Sequence, residues 1–182
     1  MRDGIRINTI YAQIKEGKDI AAMKRKVLSV LVDNTSGVLN RVAGLFSRRG
    51  YNIDSLTVGE TENPAYSRMT IVVRGEDETL EQIEKQILKL EDIVSVQDLG
   101  SASVCRELIL VKVAAGPEDR QQVISVANIF RANIVDVAPE SLMIELTGNQ
   151  EKLTAFTNLL EGFKILELVR TGIAGLSRGM AD

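Results

Sequence analysis

The residues best placed to do chemistry are Asp33-Asn34-Thr35-Ser36-Gly37-Val38, which lie between an apolar run and an amphipathic segment. Where a strand hands over to a helix, the first N–H groups of the helix lack intrahelical partners, and an anion can take them. Two readings follow. In one, Ser36 or Asn34 caps the helix and Gly37 merely permits the turn. In the other, a ligand carboxylate replaces the cap, with the N–H groups of Gly37 and Val38 donating to it and Asn34 or Asp33 accepting from an ammonium group. An amino acid carries both groups. The residues alone leave both readings open.

Little else in the chain invites chemistry. None of the 182 residues is histidine, which removes imidazole bases, catalytic triads and most transition-metal sites. Cys105 is the single cysteine, so no intramolecular disulfide can form, and a small, inert, partly buried role is expected. Asp98, Glu107 and Glu145 lack a histidine or lysine partner, and none is assigned catalysis or metal binding. Neither catalytic nor metal-ligating residues are expected, and no cofactor is expected in this chain. A phosphatase of similar size would need a glycine-rich phosphate cradle after the first strand. An RNA-binding sheet would need aromatics where Met69, Ile71 and Val73 stand. With a net charge of −3, nucleic acid is disfavoured as a partner. Met23-Lys24-Arg25-Lys26 reads as a solvated approach to a strand, and Arg48-Arg49 as a solvated helix end. No run approaches the roughly 20 apolar residues a bilayer demands, and no signal peptide is apparent. A cytoplasmic location without membrane contact is expected.

The elements that would hold the turn repeat. Val27–Val32 reads as a strand. Val38, Leu39, Val42, Leu45 and Phe46 mark one helix face, stopped by Arg48-Arg49-Gly50. A hairpin follows, with strands around Leu56 and Val58 and at Met69, Ile71 and Val73, joined by Glu60–Ala65. Leu80, Ile83, Ile87 and Leu90 give a helix, and Val94 and Val96 a strand ending by Gly100. The order is βαββαβ. About 80 residues on it recurs: a strand at Leu108–Val113, Gly116-Pro117 opening a helix with Val123, Val126, Ala127 and Phe130, and strands at Ile134–Val137 and Leu142–Leu146 around Pro139. A helix with Leu153, Phe156 and Leu160 and a strand at Lys164–Val169 complete it. The expected fold is α+β, with two tandem ferredoxin-like βαββαβ domains at residues 24–101 and 102–182. Residues 1–23 read as an N-terminal extension, with Met23 a plausible true start. Right-handed crossovers put both helices of a unit on one sheet face, so the other face should be bare and association is expected.

The run Leu28-Ser29-Val30-Leu31-Val32-Asp33-Asn34-Thr35-Ser36-Gly37-Val38-Leu39-Asn40-Arg41-Val42, continued by Gly44–Leu56, resembles the ACT domain of the small regulatory subunit of acetolactate (acetohydroxyacid) synthase. Ser67-Arg68-Met69-Thr70-Ile71, Leu80–Gln86, Arg106-Glu107-Leu108, Ile129–Ala132 and the tail Arg170–Gly179 extend the likeness from about Lys24 to Gly179. The resemblance implies a non-catalytic subunit that stimulates a separate catalytic large subunit. That large subunit would carry thiamine diphosphate, magnesium and FAD. It also implies feedback inhibition by valine in branched-chain amino acid biosynthesis, and homodimerisation through the ACT domains. Effector contacts carried over by position are Asn34, Gly37 and Val38 from one chain, with Asn52 and Ile53 from the facing chain. A free-standing amino-acid sensor for a different biosynthetic enzyme is the alternative.

Overall fold

The computed structural model describes residues 23–179. The expected N-terminal extension therefore lies, Met23 aside, outside the described residues. The first unit runs β1 (Lys24–Asp33), α1 (Val38–Arg49), β2 (Ile53–Glu60), β3 (Tyr66–Gly75), α2 (Asp77–Ile87) and β4 (Ile93–Asp98). The second runs β5 (Ser103–Ala114), α3 (Arg120–Phe130), β6 (Asn133–Ala138), β7 (Ser141–Gly148), α4 (Gln150–Leu160) and β8 (Ile165–Arg170), and β9 (Ala174–Ser177) follows. The sheet orders are β2-β3-β1-β4 and β6-β7-β5-β8, and all the strand pairs are antiparallel. These are the two ferredoxin-like units expected from the repeat.

Period-2 alternation explains how each sheet acquires its core. In β1, Leu28, Val30 and Val32 point one way, and Met69, Ile71 and Val73 of β3 join them. Val42, Leu45 and Phe46 of α1 and Leu80, Ile83 and Ile87 of α2 close over that face. The second unit does the same with Ile109, Val111 and Val113 against Val123, Ala127, Leu153, Phe156 and Leu160. Even the irregularities repeat: a bulge at Ile53/Ser55 in β2 has its counterpart at Ile134/Asp136 in β6.

Several expectations need correction. Pro117 does not open a helix, because α3 begins at Arg120 with Asp119 as its N-cap. Leu90 lies beyond the end of α2 but still packs on the core. The strand β5 starts five residues before Leu108, since Ser103–Arg106 pair with the unforeseen β9. The face of the first sheet opposite its helices, expected to need a covering partner, is covered in part from within the chain. Val27 and Val72, paired neighbours on that face, are buried against Leu99 and Ile173, with Cys105 packed beside them. The C-terminal tail thus supplies part of the cover that the first sheet needs.

Candidate functional site

The turn after β1 is braced from both sides. Toward the β2–β3 loop, the Asn34 backbone N–H donates to the Ala65 carbonyl at 2.8 Å. The Asn34 side-chain amide donates to the Pro64 carbonyl at 2.9 Å and to Glu60 Oε2 at 3.3 Å, while its Oδ1 accepts from the Ser67 hydroxyl at 3.0 Å. Toward β4, the Asp33 N–H donates to the Asp92 carbonyl at 2.9 Å. Arg41, in the first turn of α1, grips the Asp92 carboxylate with two bonds of 2.6 Å from Nε and Nη2.

In this arrangement neither candidate side chain caps the helix. Gly37 is the N-cap residue, at φ +87°, and no side chain caps the helix. Neither Ser36 nor Asn34 does so, and Asn34 Oδ1 accepts from the Ser67 hydroxyl instead. The first N–H groups of α1 are therefore left without a side-chain acceptor at an exposed surface. A methyl added at Gly37 would fall 3.0 Å from Arg41 Nη1 as well as strain the left-handed backbone. The Val38 side chain is buried in the core, so only its backbone can face a ligand.

Asn52 and Ile53 lie elsewhere in the same chain. Asn52 is exposed and donates to Asp54 Oδ1 at 3.2 Å, and Ile53, packed on the core, opens β2. Ile53 is paired with Val73, which pairs in turn with Lys26, whereas Glu60 at the other end of β2 is level with Ser67 and Val32. At ~3.3 Å per residue, roughly 20 Å of strand separates them from the turn. One chain does not bring the five candidate residues together.

The Arg41–Asp92 clamp carries a pH signature. Hydrogen bonds from Arg41 are the main reason the Asp92 carboxyl is held below the usual carboxylate range, and they also raise the Arg41 guanidinium. A depressed carboxyl means the unfolded chain binds more protons as pH falls. The clamp therefore contributes above the ordinary carboxylate range and is lost as pH drops through the lowered value. Asp92→Asn is expected to lower the melting temperature slightly at pH 7, with the gap from the parent chain closing in acid. A gap independent of pH would contradict this.

Among the described residues no group of three or more His, Cys, Asp or Glu is arranged to hold a metal ion, and no helix is long and apolar enough to cross a membrane. Asp98, expected to lack a lysine partner, is paired with Lys26 at 3.3 Å, the strand pairing having brought them together, and Glu107 is paired with Arg170 at 2.6 Å. Cys105 is a free, partly buried thiol.

Comparison with known proteins places these features. Residues 28–95 match the model of the acetohydroxyacid synthase small subunit-like ACT domain, and residues 106–179 match that of the small subunit of acetolactate synthase. The probable acetolactate synthase small subunit of Methanothermobacter thermautotrophicus is 54% identical over 155 residues, covering 84% of this chain and 92% of that one. The chain belongs to the acetolactate synthase small-subunit family. Another member, the acetolactate synthase isozyme 3 small subunit of Escherichia coli, is 50% identical over 157 residues, 85% of this chain and 96% of that one. The crystal structure of the Thermotoga maritima small subunit, 45% identical, superposes with a TM-score of 0.79 over 87% of this chain and 99% of that one.

Within this small-subunit frame, sequence reasoning missed Glu60, Ser67, Arg41 and Asp92. Their link to the turn spans 26 to 51 residues of sequence. Strand pairing of β1 with β3 and β4, and of β2 with β3, brings Ser67, Asp92 and Glu60 near it, and Arg41 follows on α1. The family likeness of Ser67–Ile71 was the one available signal for Ser67.

Proposed function

We propose that this small subunit stimulates the catalytic large subunit of acetolactate synthase and makes it sensitive to valine, bound where two ACT domains meet. The observation that supports this reading is that Ile53 and Glu60, the neighbour of Asn34, lie at opposite ends of β2, an edge strand of the first sheet. A two-fold axis between Leu56 and Thr57, relating two copies of β2 as antiparallel neighbours, sets Ile53 opposite the partner's Glu60. Glu60 lies beside Asn34. Each turn then receives Asn52 and Ile53 from the other chain, and two equivalent pockets form from one isologous contact. Pairing would also remove an exposed strand edge.

In such a pocket the valine carboxylate meets the uncapped N-terminus of α1, through the backbone of Gly37 and Val38. Its ammonium meets Asn34 Oδ1 and the carboxylate of Glu60. Charge-assisted hydrogen bonds contribute about 1.5–3 kcal/mol each, and burial of the isopropyl group about 1.5–3 kcal/mol. Association costs at least ~4 kcal/mol, so submillimolar binding is reasonable. Leucine and isoleucine differ from valine by one methylene, worth only about 1–3 kcal/mol of discrimination.

Mixing the chain with an acetolactate synthase catalytic subunit tests the assignment. The expected outcome is a stable complex, higher acetolactate production than the catalytic subunit alone, and suppression of that activity by valine. Absence of both complex and stimulation would leave the alternative, a free-standing sensor serving another enzyme.

A further inference from the structure

The tail after β8 is built as a fastening between the two units, hydrogen-bonded to β2 and packed on β1 and β3 of the first. The fastening begins on the second unit. Arg170 holds the nearly buried Glu107 through two bonds, Nε to Oε1 at 3.0 Å and Nη2 to Oε2 at 2.6 Å. Thr171 is tied to β5 as well: its N–H donates to the Leu108 carbonyl at 3.1 Å, and its hydroxyl accepts from the Leu108 N–H at 3.2 Å.

The chain then crosses to the first unit. The Ile173 N–H donates to Ser55 Oγ at 3.0 Å, and the Thr57 hydroxyl donates to the Thr171 carbonyl at 3.3 Å. Between them Gly172 turns at φ +82°, so close to β2 that an added methyl would fall 2.6 Å from Ser55 Oγ and 2.9 Å from Thr57 Oγ1. The Ile173 side chain is buried with Val27, Val72 and Leu99. Gly175 allows β9 the same intimacy, since a methyl there would meet Leu99 Cδ1 at 2.7 Å and Cys105 Sγ at 2.8 Å.

The backbone of this strap is hydrogen-bonded to β2 and to β5, the opening strand of the second unit, while the Ile173 side chain packs on β1 and β3. Ser55 is two residues from Ile53. We infer that Thr171-Gly172-Ile173 is the coupling strap, through which occupation of the effector half-site on β2 shifts the second unit relative to the first. The inference rests on the proposed valine site and adds the route by which its occupancy leaves the ACT domain. A rigid tether between two packed units transmits a small displacement because packed interfaces have few intermediate arrangements. Gly172, Ser55 and Thr57 are positioning residues in this scheme, and none of them touches the effector.

The test separates binding from response. Valine binding to the full chain is measured by calorimetry, and valine inhibition is measured in the complex with the catalytic subunit, for the parent chain, Gly172→Ala and Ser55→Ala. Gly172→Ala is expected to bind valine within about threefold of the parent, while the concentration for half-inhibition rises at least tenfold or the inhibited fraction falls by more than half. Ser55→Ala removes one acceptor without backbone strain, so it keeps the test decisive should Gly172→Ala fold poorly. It is expected to give the same separation at three- to fivefold. Inhibition that tracks binding in both variants overturns the strap and leaves the valine site standing. A parent chain that neither binds nor responds to valine overturns the site itself, and the strap with it.

Discussion

Asn34→Ala is expected to raise the valine concentration needed for half-inhibition by about 5- to 150-fold. The Asn34 side chain joins the turn to the β2–β3 loop through the Pro64 carbonyl and the Ser67 hydroxyl. Each neutral bond of this kind contributes about 0.5–1.5 kcal/mol net. Losing two therefore costs roughly 1–3 kcal/mol of the binding-competent arrangement, and every ~1.4 kcal/mol is a factor of ten in affinity. The turn would then sample positions in which the first N–H groups of α1 no longer converge on a carboxylate. Titrating the assembled enzyme with valine measures the shift. An unchanged inhibition curve would contradict the contact of Asn34 with the effector.

A second large effect is expected in stability. Phe46→Ala should destabilise the first unit by about 3–5 kcal/mol, the usual cost of emptying a buried aromatic position. Phe46 is 1% exposed and meets the Tyr51 ring edge to face at 6.3 Å. For a unit of this size each ~1 kcal/mol moves the midpoint by about 4–8 °C, so calorimetry of the full chain should show a fall of 12 °C or more. A fall of only a few degrees would place the first unit's stability elsewhere.

The two units were legible because their periodicity is strong. Alternation at Leu28, Val30 and Val32 and the three-four spacing at Val38, Val42, Leu45 and Phe46 name both the element type and the face it buries. The fold's less regular parts were not legible for identifiable reasons. Four residues, Ala174-Gly175-Leu176-Ser177, are too few to show alternation, and they become a strand only because Ser103–Arg106 offer them an edge. Ile173 reads as one apolar residue among glycines until it meets Val27 and Val72.

The site divides in the same way. A strand-to-helix turn with a glycine at its end could be read directly. The sequence cannot tell that Gly37 rather than Ser36 or Asn34 occupies the cap position, because the competing demand on Asn34 comes from Pro64 and Ser67, 30 and 33 residues away. Register matters most of all. Only the pairing of β2 with β3 places Asn52 and Ile53 at the far end of the sheet from the turn; the division of the five residues between two chains came from the resemblance, and no residue spacing shows it.

A mixed dimer tests the shared site most directly. Chains carrying Asn34→Ala and chains carrying Asn52→Ala are given different tags, co-expressed, and purified as the heterodimer. Valine binding is then counted by calorimetry beside the two parent homodimers. A pocket shared between chains concentrates both lesions in one site and leaves the other intact, so the mixed dimer should bind one valine with the unmodified affinity while each homodimer binds weakly at both sites. A pocket built within a single chain would leave the mixed dimer with two damaged sites and no recovery.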